Sequence, residues 1–202
     1  PTQPYLSTPY LCAYLREKSW DVTQRDFNIE SYDHFLSPTL LENILSKIEG
    51  RLTALKEKKS FSFKEKSLMD VLATSVKFAP TIISGVNDAK KVMRTPERFF
   101  DFNTYKQADM VIKSALKLVS DAYSPSILTL STFESGTRAE ESTQRATEFA
   151  RNNDINPFID LYEKVLLPSE SWEDYNLVGI SIVGISQILP GLTLARLLKE
   201  KY

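Results

Sequence analysis

The sequence predicts an α/β fold: a small, Rossmann-like parallel sheet carrying a large, mainly helical insertion. Three observations predict it. Residues 177–200, LVGISIVGISQILPGLTLARLLKE, read as a buried strand, a turn of small residues and an amphipathic helix. Residues 20–29, WDVTQRDFNI, alternate apolar and polar, which reads as a strand over 21–27. Between them lies a long stretch of helical periodicity. The predicted organisation is therefore 1–36 and 169–202 as a partial sheet domain, with 37–168 as the helical insertion.

Residues 1–9, PTQPYLSTP, are rich in proline, serine and threonine and read as a loop. Tyr10 to Lys18 follows as a helix, with Leu11, Tyr14 and Leu15 at helical spacing and Pro9 suited to a first turn. After the expected strand at 21–27, Ser37 begins a strong helix over 37–59. Its hydroxyl suits a cap, Pro38 suits the first position, and Leu40, Leu41, Ile44, Leu45, Ile48 and Leu52 form one stripe. Further helices are expected over 64–78, 80–94 and 103–122. SILTLST, 126–132, reads as a short strand or extended stretch. Helices over 137–151 and 157–167 complete the block, the second capped by Asn156.

The C-terminal unit is apolar on both faces over 177–183, as a central parallel strand requires. Pro190 places the start of the following helix between 186 and 190. Ile188, Leu192, Ala195 and Leu198 make its expected core face, with Arg196, Lys199, Glu200 and Lys201 toward solvent. Ligands of open parallel sheets bind outside the carboxyl ends of the strands. That edge would carry Ser181, Gly184, Ser186 and Gln187. Taken alone, the same residues also describe a plain strand-to-helix turn with small residues for close packing.

Composition narrows the chemistry. Hydrophobic residues make up 42% and charged residues 25% of 202 residues, which is globular composition. The net charge of −1 offers no general attraction to nucleic acid. One cysteine and one histidine exclude a disulfide framework and a Cys/His zinc site, so no metal site is expected, and the lone thiol fits a cytoplasmic setting. No apolar run reaches the ~18 residues that span a bilayer, so no membrane partner is expected. Cys12 reads as a structural thiol and His34 as a surface or cap residue. Glu140 with Glu141, and Glu173 with Asp174, read as caps and solvated faces rather than acid/base pairs. No phosphate-binding glycine fingerprint and no nucleophile elbow occur, and no catalytic residue is assigned. KEKK, 56–59, reads as a solvated helix end. Phe99, Phe100 and Phe102 read as core, with a partner patch as the alternative.

PTQPYLSTPYLCAYLREKSWDVTQRDFNIESYDHFLS at one end, and INPFIDLYE with YNLVGISIVGISQILPGLTLARLLKE at the other, resemble the cobalamin-binding domain of B12-dependent radical S-adenosylmethionine enzymes. The resemblance covers about 1–36 and 154–202. It implies a B12-binding, Rossmann-like sheet and an interior fragment of a longer enzyme. Thr2, Gln3, Pro4, Tyr5 and Ser7 would lie in the loop facing the corrin, and Ser181 beside the cofactor's nucleotide tail, with Gly184, Ser186 and Gln187 next to it. Two departures matter. The loop has no histidine, so the lower axial position would be empty, water-filled or approached by Gln3 or Tyr5. C-x-x-x-C-x-x-C is absent, so a [4Fe–4S] cluster and S-adenosylmethionine would belong to a downstream domain of the same polypeptide. That domain would also meet the substrate, which the sequence does not name. The alternative expectation is a cofactor-free, Rossmann-like module that binds a substrate or partner.

Overall fold

The computed structural model describes residues 6–202, and its architecture is helical. Helix α1 runs Ser7–Glu17, α2 Phe27–Phe35, α3 Pro38–Lys56, α4 Phe63–Arg94, α5 Pro96–Phe99 and α6 Phe102–Ala122. A two-residue hairpin follows, β1 Ile127–Leu128 and β2 Phe133–Glu134, antiparallel, with Ile127 opposite Glu134. Then come α7 Thr143–Phe149, α8 Phe158–Leu161 with a π turn over Tyr162–Leu166, and α9 Ile185–Lys201. This hairpin is the one sheet among the described residues, so the predicted Rossmann-like parallel sheet is corrected to a mostly helical fold.

The centre is a three-helix layer of α3, α4 and α6. Leu41, Ile44, Ile48 and Leu52 of α3 are buried at three- and four-residue spacing, one stripe of a helix. Opposite them α4 buries Leu72, Ala79, Val86, Ala89 and Val92, and α6 buries Ala108, Ile112, Ala115, Leu116 and Val119. Alanines at these contacts let the helix axes approach closely while the branched residues fill the gaps. Helix α2 packs on α3 and α6 and also on α8 and the π turn, which belong to a second group of segments. There α9 packs on α7, α8 and the π turn, and Phe158 is central, edge-on to Phe35 and Phe133.

Local chemistry explains most boundaries. The Ser37 Oγ accepts from the Leu40 N–H, with Pro38 in the first turn, as expected. The Ser62 Oγ accepts from the Glu65 N–H while the Glu65 carboxylate accepts from the Ser62 N–H, a reciprocal cap that opens α4. The break expected near Pro80 does not occur. Pro80 lies on the exposed side of a continuous 32-residue α4, where the carbonyl that loses its N–H partner can meet water.

Both expected outer strands are corrected. Residues 21–26 are irregular, and Phe27 begins α2 because the Asp26 carboxylate accepts from the Asn28 and Ile29 N–H groups. Phe27 then packs edge-on to Tyr162, and Ser31 and Phe35, four and eight residues on, are buried, while Ile29 faces out. Residues 177–183 run without a ladder partner. Leu177 is 85% exposed, and Val178, Ile182 and Val183 are also exposed, so this run is not a buried central strand. Phe99, Phe100 and Phe102 are likewise exposed, not core. No helix among the described residues is long and apolar enough to cross a membrane.

Candidate functional site

The C-terminal unit holds the sequence-predicted polar residues that fall within the described chain. Gly184 stands ahead of α9 in extended conformation and supplies no side-chain cap. Gln187 compensates: its Oε1 accepts from the Val183 N–H at 2.8 Å, while its own N–H donates to the Gly184 carbonyl at 2.9 Å. Pro190 sits inside α9, not before it, because the helix starts at Ile185. The core face is also rotated from the expected one. Leu189, Thr193, Leu194 and Leu197 are buried, while Leu192 and Ala195 are exposed. Arg196 is not simply solvated; its Nε donates to the Ala150 carbonyl at 2.9 Å.

The run before α9 folds back onto it at one point. A Cβ on Gly191 would lie 2.7 Å from Cδ1 of Ile182, so a bare backbone at 191 is what seats that isoleucine. Elsewhere the run is open. A Cβ on Gly179 or Gly184 would meet nothing within 4 Å. The Ser181 and Ser186 hydroxyls make no side-chain hydrogen bond among the described residues, and Ser181 is exposed. A flat ligand therefore has access to backbone at two glycines and to two free hydroxyls. These residues form one wall, and they line neither the groove between Pro38 and Pro80 nor the one beside Arg145 and Phe149. Ser7 opens α1, and no hydrogen bond joins it to this wall. Thr2, Gln3, Pro4 and Tyr5 lie outside the described residues.

Sequence reasoning missed the clusters that only tertiary packing assembles. Lys47 of α3 lies 3.8 Å from the ring centroid of Tyr123 and donates to the Asn153 carbonyl at 2.7 Å. Burial holds the Lys47 ammonium below the usual lysine range. The Tyr123 phenol is pushed well up, chiefly by burial and then by the Asp160 carboxylate. A phenol that stays protonated and an amine turned onto a ring do not make a working acid/base pair at neutral pH. Ser75 donates to Asp121 at 2.6 Å, and Lys117 holds the same carboxylate. That triplet closes the α4–α6 contact. Arg51 spans the carbonyls of Asp121 and Ala122 at the end of α6 and of Ser124 just beyond it. Only Lys117 with Asp121, four residues apart on α6, follows a local pattern; the other contacts join segments far apart in the chain.

The larger groove, about 460 Å³, is lined by Pro38, Glu42, Leu45, Pro80, Ile83 and Ser84. It holds one carboxylate and no base–nucleophile pair. No group of three His, Cys, Asp or Glu side chains suited to a metal occurs among the described residues. Compared with protein-family models, curated proteins and solved structures, the chain matches none.

Proposed function

We propose that this chain is the cobalamin-binding portion of a B12-dependent radical S-adenosylmethionine enzyme. The observation that carries the reading is the open wall at 177–187, an uncharged run with small residues, free of any ladder, that leads into α9. Its residues fit the polar rim of such a cofactor on one side. Ser181 and Ser186 would hydrogen-bond the periphery, and Gly184 would let it approach the backbone. Gln187 would hold the turn in shape, because its side chain already ties Val183 to α9. Bound cobalamin supplies a cobalt centre that carries a methyl group. This chain's own residues bind and orient; none of them is assigned a proton transfer. The iron–sulfur cluster and S-adenosylmethionine would be held by a further domain of the polypeptide. The reading rests on the motif resemblance and this wall.

Titration of the chain with hydroxocobalamin tests it. The expected result is a shift of the visible bands that Gly184→Trp abolishes by filling the open approach. No shift with wild-type protein at high micromolar concentration would overturn it. The exposed side chains of Leu177 and Ile185, 85% and 74% accessible, favour a second reading: a cofactor-free module that binds a substrate or partner through this apolar run. A silent cobalamin titration together with protection of 177–185 by a bound partner would favour that second reading.

A further inference from the structure

The turn between α3 and α4 reads KEKKSFSFKEK over residues 56–66. It holds five lysines and two glutamates, a net charge of +3 within a chain of net charge −1. All five lysines are exposed. So are both aromatic residues between them, Phe63 at 89% and Phe61 at 43%. The turn projects. Ser75 of α4 and Arg51 of α3 both reach the last residues of α6, so α6 ends at their level. Phe63 lies twelve residues before Ser75, about 18 Å farther along α4 at 1.5 Å per residue.

Local structure gives the tip a fixed shape. The reciprocal cap between Ser62 and Glu65 orders the turn, and Lys58 pairs with Glu65. That pair takes up one positive and one negative charge. Lys56, Lys59, Lys64 and Lys66 have no ion-pair partner among the described residues, against the one remaining carboxylate of Glu57. The C-terminus of α3 and the N-terminus of α4 meet here with opposed dipole ends, so the field of the tip comes from its side chains.

We infer that this tip docks on an anionic phospholipid bilayer surface, with Phe63 and Phe61 entering the interface and the lysines meeting lipid headgroups. The charge and the shape select this occupant. A convex tip offers no groove for a peptide or for a nucleic acid strand. Its cations are all lysines, compact point charges suited to a diffuse anionic surface; arginine forks would suit bidentate phosphate contacts and base stacking. Exposed phenyl rings gain from leaving water at the headgroup boundary, and nearby basic residues add roughly 1 kcal/mol each close to an anionic leaflet. The chain rests on this surface and does not span it, in keeping with the absence of a spanning helix among the described residues.

Cosedimentation of the full chain with phosphatidylcholine vesicles, with and without phosphatidylserine, tests the inference. Binding is expected only with phosphatidylserine and is lost in high salt. Lys59→Glu with Lys64→Glu should weaken it by about 30-fold or more, from about fivefold per lysine removed. Phe63→Ser should weaken it by about tenfold, while Phe63→Trp retains it and its added emission shifts to the blue on binding. All three positions are exposed, so circular dichroism should show unchanged helix in every variant. No sedimentation with phosphatidylserine vesicles overturns the inference. Binding indifferent to Phe63→Ser overturns the insertion of the ring. Phe63-dependent binding of a single-stranded oligonucleotide without vesicle binding overturns it in favour of nucleic acid.

Discussion

Gly136 has φ +66°, and a Cβ there would stand 2.2 Å from the Pro125 carbonyl oxygen. Both the left-handed backbone and a rigid backbone neighbour require glycine. Gly136→Ala should lower stability by about 2 kcal/mol in urea denaturation, with the helical spectrum retained. Gly191→Ala is the contrast. Its Cβ meets side-chain atoms alone, Cδ1 and Cγ1 of Ile182 and, farther off, Cγ2 of Ile180; the Ile182 side chain can turn away, and alanine favours the helix. A change within about 0.5 kcal/mol of wild type is expected, together with a loosened 180–182 run; a loss as large as that at 136 would show that the run is rigidly seated. Asn156 is fully buried and donates to Phe149 O and Thr193 Oγ1 while accepting from the Phe158 N–H. Asn156→Ala should lose about 2–3 kcal/mol, because buried partners are left unsatisfied as well as a bond removed.

Among the elements, α4 depends on its start. Ser62→Ala removes half of a reciprocal cap and should lower the melting temperature by an amount equivalent to about 1 kcal/mol. The Lys58 ammonium and then the Ser62 N–H and hydroxyl push the Glu65 carboxyl down to about 2. A depressed carboxyl pKa stabilises the fold above its unfolded value and loses that contribution as pH falls through the folded one. Wild type should therefore weaken between about pH 4.5 and pH 2, and Glu65→Gln should flatten that part of the pH–stability curve. The helix starts at Ser37 and Asn156 were legible in the sequence because a cap joins groups within three residues. The start of α2 at Asp26 is equally local, yet four apolar positions, Trp20, Val22, Phe27 and Ile29, imitate strand alternation. Hydrogen bonds from the Asn28 and Ile29 N–H groups to the Asp26 carboxylate override that imitation.

For the whole molecule, three tyrosines report on the core at high pH. Burial holds the Tyr32 phenol up to about 12 and pushes those of Tyr123 and Tyr162 higher still. These phenols ionise more easily in the unfolded chain, so stability is retained below about pH 10 and falls as pH rises through the folded values. Alkaline unfolding should accompany a cooperative rise of phenolate absorbance from part of the tyrosine set; independent titration of all tyrosines near pH 10 would show that the packing is looser. Hydrogen exchange should separate the molecule in the same way. The α3–α4–α6 layer is expected to exchange slowest, and amides 177–182, which have no ladder, close to the unprotected rate.

The sequence by itself determined where α3, α4, α6 and α8 begin and which stripe of α3 is apolar, because caps and 3.6-residue periodicity act over one or two turns. Only the tertiary structure decided the state of 177–183. A short apolar run without charge reads equally well as a strand or a covered segment, and a strand exists only when another supplies its hydrogen bonds. Here none of the described residues supplies them, so the run lies open along α9 at Gly191. Tertiary structure also decided that Phe63 and Phe100 face water, and that Lys47 meets Tyr123, since which face of a helix is covered depends on neighbours far along the chain.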